Sequence, residues 1–248
     1  MFDTLDEELP TGAKVSASLV PYSTSVNLGD FPSVLKAVSI RGKGKPPKGE
    51  DVWAAERAIV ANGTDITLND SSPVGRPIPF VSEAEISSTT PTSRLQPLND
   101  DLAKIRGSVE TMTANGWTAG HIGMVWGLYT LSENWKTIWP QAPAAKGDAD
   151  KIIVMLSDGE FNTTHNIGLG TTKDGATSDA YFQRVCDLAV KEDVTIYTVA
   201  LALDPVSEQK LRDCVGSTGK FYSADSGDDL SEAFKDIARR LGTHRLTS

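Results

Sequence analysis

The sequence predicts an α/β protein with a doubly wound, mostly parallel sheet and helices on both faces. One observation is a continuous apolar run over residues 152–156 that stops at Ser157-Asp158-Gly159. Such a run is typical of a strand that is buried on both faces, as in parallel sheets covered by helices. A second observation is the alternation of strand and helix patterns after residue 150. Open α/β sheets bind ligands at the carboxyl ends of their strands, so Asp158 lies where a functional residue is expected.

The composition is that of a soluble globular protein. The chain has 248 residues, of which 39% are hydrophobic and 23% charged, enough for one large domain with an insertion. Its 24 Lys and Arg against 33 Asp and Glu give a net charge of -9, without a basic cluster, which argues against nucleic acid as a partner. No apolar run approaches the roughly 20 residues of a transmembrane helix, so we expect no membrane span in this chain.

The predicted elements begin before residue 100 with little regular structure. Residues 2–9 have the spacing of the end of an amphipathic helix, and residues 14–21 alternate as a strand does. Residues 41–94 are rich in Gly, Pro, Ser and Thr, and we interpret them as an irregular insertion with hairpin character within a single domain, 1–248.

Regular elements follow. A helix capped by Asn99 or Asp100 is predicted to bury Leu102, Ile105, Val109 and Met112. After it come a helix opened by the Gly116-Trp117-Thr118 loop, the strand ending at Asp158, a loop at 163–177, a helix at 179–191, a strand at 194–200, a helix at 207–215, a short strand at 221–222 and a closing helix at 229–241.

These features together resemble a von Willebrand factor A domain. The resemblance rests on the Ser157-Asp158-Gly159 strand end, the Gly116-Trp117-Thr118 loop about forty residues earlier, and the strand–helix units that follow. The segments 19–27, 116–127, 131–135 and 157–162, with Cys186 and Cys214, are similar to the TadG subgroup of the bacterial tight-adherence (Flp) pilus machinery.

The resemblance implies a metal-ion-dependent adhesion site. The family builds this site from Asp-x-Ser-x-Ser after the first strand, a Thr before a helix and an Asp after the fourth strand; Thr118 and Asp158 match the last two. The implied ion is Mg²⁺ or Mn²⁺, possibly Ca²⁺, bound by oxygen ligands and completed by a carboxylate of the partner. Trp117, beside Thr118, is expected to line the partner surface.

The first element of this site is missing from the sequence. Asp-x-Ser-x-Ser is absent, and in the family's strand order, 3-2-1-4-5-6, the missing strand would lie between the strands of Val15 and Ile152. Both strands are therefore expected to lose a neighbour. Our hypothesis is a chain truncated at its amino terminus, with the first strand, three ligands and a membrane anchor upstream in the complete protein. The ion is expected to bind weakly or not at all.

Other interpretations of single residues remain open. Asp158 before Gly159 is also typical of a turn or a helix cap. Glu160 is close enough in sequence to suggest a catalytic carboxylate pair with Asp158. We favour a structural or solvated role for Glu160. His121, His165 and His244 lie far apart in sequence, with no Cys or carboxylate at ligand spacing, which argues against zinc.

The cysteines allow two readings. From the residues alone, Cys186 and Cys214 are two buried thiols or a disulfide. The resemblance to an envelope protein implies the disulfide.

The resemblance therefore implies a non-enzymatic adhesion or assembly module of a bacterial Tad (Flp) pilus system in the cell envelope, periplasmic or extracellular. Its partner would be a protein of the pilus machinery or a surface ligand with an acidic residue. The alternative is an intracellular von Willebrand A adaptor of an AAA-type ATPase or chelatase. Hydrolysis by Asp158 and Glu160 is a third hypothesis.

Overall fold

The structure is a computed structural model that describes residues 14–29, 38–40, 51–58, 66–67, 78–81, 91–165 and 172–244. The predicted helix end at residues 2–9 lies outside these residues. The strands are β1 (Ala17–Leu19), β2 (Val38–Ile40), β3 (Trp53–Ala54), β4 (Arg57–Ala58), β5 (Ile66–Thr67), β6 (Ile78–Val81), β7 (Gln96–Asn99), β8 (Lys151–Ser157), β9 (Thr163–Thr164), β10 (Thr172–Lys173), β11 (Val194–Leu201) and β12 (Lys220–Ala224). The α-helices are α1 (Leu102–Glu110), α2 (Gly120–Leu131), α3 (Gly175–Lys191), α4 (Pro205–Cys214) and α5 (Gly227–His244).

A parallel sheet forms the centre of the fold, as the sequence predicts. Its order is β12-β11-β8, and both pairs of neighbours are parallel. Side chains of β8 alternate between two cores: Ile153 and Met155 lie in one, and Ile152 and Val154 pack against the other. Because each face needs its own cover, the sheet is buried by helices on both sides.

The two faces are covered by different helices. Buried residues of α2, α3 and α4 pack on the Ile153 face, whereas α5 supplies Ala233 and Ile237 to the Ile152 face. Around α2 the large core contains the buried tryptophans Trp126, Trp135 and Trp139, whose rings contact one another. The observed architecture is therefore mixed α/β with a parallel sheet between helical layers.

A second sheet lies beside the first and is not continuous with it. In it, β1 pairs with β7 in antiparallel orientation. Within the described residues β8 is paired along one edge only, and so is β1, as expected for strands that have lost a common neighbour. The two sheets both pack on α2. They are also bridged by Tyr22, whose hydroxyl donates a hydrogen bond to the Leu156 carbonyl oxygen at 2.7 Å.

Part of the predicted insertion 41–94 belongs to the core. Val52 and Ala54 are buried. Both form backbone hydrogen bonds with the segment after β1: Leu28 N–H donates to Val52 O at 2.8 Å, and Ala54 N–H donates to Val26 O at 2.9 Å. Short strand pairs, β3 with β6 and β4 with β5, also occur here, while β2 adds to β6. Residues 41–50, 59–65, 68–77 and 82–90 lie outside the described residues.

The start of α1 differs from the prediction. Asp101, rather than Asn99 or Asp100, caps it, because the Asp101 carboxylate accepts from Lys104 N–H at 3.2 Å. Asn99 instead accepts from Asp101 N–H at 2.8 Å and orients the cap. The helix ends at Glu110. Val109 within it and Met112 beyond it, both predicted as buried, are each 42% exposed.

The segment predicted as a loop at 163–177 contains strands and the start of a helix among its described residues. β9 and β10 pair within it. Helix α3 then begins at Gly175, four residues before the predicted start, because Asp174 accepts from Thr177 N–H at 3.0 Å and caps it there.

Cys186 and Cys214 form a disulfide, with their Cα atoms 5.1 Å apart. The bond joins α3 to α4 on the same face of β11, and both residues are buried in the core. No helix of the described residues combines the length and the apolar character needed to cross a membrane.

The outer surface of β12 and α5 carries a charge cluster with a testable pH dependence. Hydrogen bonds from Lys220, then Tyr222 and Arg240, hold the pKa of the Asp236 carboxyl well below its usual range. A depressed folded-state pKa gives stability that is fully present above the unfolded pKa, about 3.9, and is lost progressively as the pH falls from there towards the folded-state pKa. We expect Asp236→Asn to lower the urea midpoint at pH 7 and to lower it by a smaller amount at pH 3, where this carboxyl is largely protonated in the unfolded chain but not in the folded protein. An equal deficit at both pH values would contradict this assignment.

Candidate functional site

Three loops meet at the carboxyl end of β8. They are residues 22–25 after β1, residues 116–119 before α2, and residues 157–162 after β8. The first two are joined by backbone donors: Trp117 N–H donates to Thr24 Oγ1 at 3.0 Å and Ala119 N–H to Ser23 O at 2.7 Å. We call the exposed part of these loops the three-loop surface. It lies where open α/β sheets bind their ligands.

The second and third loops are joined by Asn162. Its backbone N–H donates to Thr118 O at 2.9 Å, and its side-chain oxygen accepts from Thr118 N–H at 3.0 Å. The Thr118 hydroxyl lies close to the Asp158-Gly159 turn, because a Cβ placed on Gly159 would be 3.1 Å from Thr118 Oγ1. The structure thus brings together the two residues that the sequence singles out as cation ligands, in loops about forty residues apart.

Close packing fixes these loops on α2. Gly120 opens the helix, and a Cβ there would be 2.3 Å from the buried ring of Phe161. Gly123, one turn later, packs against the Tyr22 ring in the same way. The glycines of α2 therefore allow an aromatic residue from each neighbouring loop to lie directly on the helix.

The side chains present provide few ligands for a cation. Asp158 is exposed and Thr118 is half-buried, and together they offer a carboxylate and a hydroxyl. A hard divalent ion takes about six oxygen ligands, so water or a partner would have to supply most of the shell. Among the described residues no group of three or more His, Cys, Asp and Glu side chains is arranged to hold a metal. This donor set fits a weakly held, hydrated ion only.

Tyr22 lies at the place where the open edge of β8 meets the three-loop surface. Burial raises the pKa of its hydroxyl far above the usual range; the hydrogen bond of Ser157 opposes this and the charge of Asp158 adds to it. The hydroxyl is therefore a proton donor at all ordinary pH values, which suits its bond to the Leu156 carbonyl oxygen. No sequence pattern indicated this role for Tyr22.

Trp117 is 37% exposed at this surface, in contrast to the buried tryptophans of the core. The Lys173 ammonium lies 4.6 Å from its ring centroid, which is within cation–π range. An exposed indole next to Thr118 in the chain has the properties of a protein-contact residue. Glu160, the other carboxylate considered from the sequence, is exposed in the loop after β8, which also carries Asp158.

Beneath the surface lies a polar network that sequence reasoning missed. The Glu56 carboxylate, fully buried, lies 2.7 Å from His121 Nε2 and accepts from the His165 backbone N–H at 2.9 and 3.0 Å. His121 Nδ1 lies 3.0 Å from Ser178 Oγ. Although His121 and His165 are far apart in sequence, one carboxylate from the 51–58 segment contacts both of them. Glu56 lies between Ala55 and Arg57, and no local sequence pattern marks it as buried.

The Ser178–His121–Glu56 order has the connectivity of a nucleophilic triad, but its burial excludes that chemistry. Ser178, His121 and the Glu56 side chain are at 0% exposure. A nucleophile must reach the substrate, and this hydroxyl is enclosed by protein. We therefore regard the network as a structural element.

The chain matches no protein-family model and no curated protein.

Proposed function

We propose that this protein is a non-catalytic, protein-binding module of the von Willebrand factor A type, and that the three-loop surface is its binding site. The observation that carries the proposal is the convergence of Thr118 with the exposed Asp158 turn and Trp117 at the carboxyl end of β8. A carboxylate, a hydroxyl and an exposed indole are suited to contact with a protein, and a divalent cation bound there would attract an acidic residue of the partner.

Within this proposal the module acts in adhesion or assembly of a bacterial Tad (Flp) pilus system at the cell envelope. The sequence resemblance supports the pilus assignment, and the Cys186–Cys214 disulfide supports an oxidising compartment. The partner would be a pilus-machinery protein or a surface ligand that carries an acidic residue. Reduced cysteines in the native protein would favour the intracellular ATPase-adaptor alternative instead.

The cation part of the proposal is tested by calorimetric titration of Mg²⁺ and Mn²⁺. We expect weak binding to the unchanged protein, because only two side-chain ligands are present. Asp158→Asn should weaken it by about tenfold or more, since it removes the only charged ligand, and Thr118→Ala should weaken it less.

Glu160→Gln is the matched control, because it removes a neighbouring exposed charge without removing a ligand. It should leave the titration unchanged within a factor of about two. Equal affinities of the unchanged protein and Asp158→Asn would refute Asp158 as the anchor. Equal losses for Asp158→Asn and Glu160→Gln would reduce the effect to general surface charge.

A further inference from the structure

The buried carboxylate of Glu56 lies below all three loops of the proposed binding surface. It belongs to the 51–58 segment, which is held to the chain after β1 by the Ala54–Val26 and Leu28–Val52 backbone bonds. Glu56 is the only Asp, Glu, Lys or Arg among the described buried residues. A buried carboxylate is costly unless its hydrogen bonds are satisfied, so its partners indicate what it does.

Each loop has a short connection to this carboxylate. The loop after β8 is held directly, since both Glu56 oxygens accept from the His165 backbone N–H. The loop after β1 is held through the His165 ring, whose Nε2 donates to Thr24 O at 2.6 Å. The loop before α2 is held through His121, in the first turn of that helix, 2.7 Å from Glu56 Oε1.

The chemistry of these contacts requires an acceptor at Glu56. A backbone N–H can only donate, and His165 Nε2 must carry its proton because it faces a carbonyl oxygen. Burial alone would raise the pKa of the Glu56 carboxyl, but the hydrogen bond and charge of His121, with the contribution of His165, outweigh it and keep that pKa below its usual range. The carboxylate is therefore ionised, and it can accept from both histidines at once.

We propose that Glu56 is a positioning residue for the three-loop surface, through which the 51–58 segment fixes the relative placement of the Thr24, Thr118 and Asp158 loops. Glu56 contacts no ligand itself. The effect of Glu56 on binding rests on the proposed function. Its effect on the placement of the loops does not, because that placement can be measured without any ligand.

Hydrogen exchange of the full chain, read by mass spectrometry, tests the placement. In E56A, peptides that cover residues 22–25, 116–119 and 157–165 should exchange about tenfold to a hundredfold faster, because the loops lose hydrogen bonds to a charged group. Peptides covering β12 should change much less. E56Q should recover most of the protection: its amide can donate to His121 Nε2, after which His121 Nδ1–H donates to Ser178 Oγ.

The matched control is I237A, which removes a fully buried side chain from α5 on the opposite face of the sheet. It should accelerate exchange in β12 and α5 and spare the three loops. The inference is overturned if E56A leaves loop exchange unchanged, if E56Q is as loose as E56A, or if I237A loosens the loops equally.

A second variant keeps the test decisive if E56A does not fold. H165A keeps the backbone donor to Glu56 but removes the ring that reaches Thr24 O, so hydrogen exchange should accelerate more in residues 22–25 than in residues 116–119 or 157–162. Equal loosening of all three loops would contradict the proposed connections. A parallel Mn²⁺ titration separates the two proposals: no binding to the unchanged protein refutes the cation site, while the exchange result decides on Glu56.

Discussion

Replacing Gly219 with alanine is expected to destabilise the protein by about 3 kcal/mol or more. Gly219 directly precedes β12, where the chain passes against the backbone of β11. A Cβ at this position would be 1.8 Å from the Ile196 carbonyl oxygen and 2.5 Å from that of Val215. Both obstacles are backbone atoms, so no side chain can rotate away, and β12 would have to move off β11. Urea unfolding followed by circular dichroism would measure the loss.

The same substitution at Gly107 is the control. This residue lies within α1, and a Cβ there would meet nothing within 4 Å. Because alanine is favoured over glycine inside helices, Gly107→Ala should raise the free energy of unfolding by about 0.5–1 kcal/mol. If the two variants were equally stable, the close approach of Gly219 to β11 would be wrong.

Removal of the disulfide is the second change with a large expected effect. The bond joins residues 28 positions apart in sequence, and a loop of this size corresponds to about 3–4 kcal/mol in the chain-entropy model. We expect the double variant Cys186→Ala/Cys214→Ala to lose that much stability. For a chain of this length the loss corresponds to a fall in Tm of about 7–14 °C in scanning calorimetry.

Reductant provides the control for this experiment. Dithiothreitol should lower the Tm of the unchanged protein towards that of the double variant, and it should not affect the variant. A Tm of the unchanged protein that is insensitive to full reduction would show that the bond contributes little. Two titratable thiols in the native, oxidised protein would show that the bond is absent.

The central sheet was predictable because its signal is local. The strand before Asp158 is apolar on both faces, and this pattern can be recognised without knowing which strands pair with it. By contrast, β7 carries Gln96, Pro97 and Asn99 and has no alternating pattern. Its strand conformation depends on pairing with β1, a contact between residues about eighty positions apart that a local pattern cannot reveal.

The candidate site was predictable only at its surface. Thr118 and Asp158 follow recognisable local patterns, and their loops meet as expected. The support beneath them was not predictable, because it depends on Glu56 reaching His121 and His165 from a segment interpreted as irregular. Because these two histidines lie far apart in sequence, no contact with a common residue was expected. In the fold they share one carboxylate, since tertiary packing brings distant residues together where a buried charge needs donors.

The break between the β1–β7 sheet and the β8–β11–β12 sheet has a consequence for how the molecule unfolds. Strands in one hydrogen-bonded sheet lose their amide protection together, whereas these two sheets are linked through packing on α2 and through the Tyr22 hydroxyl. Small proteins open in contiguous cooperative units. We therefore expect the β1–β7 pair to open as a unit of its own, separately from the parallel sheet.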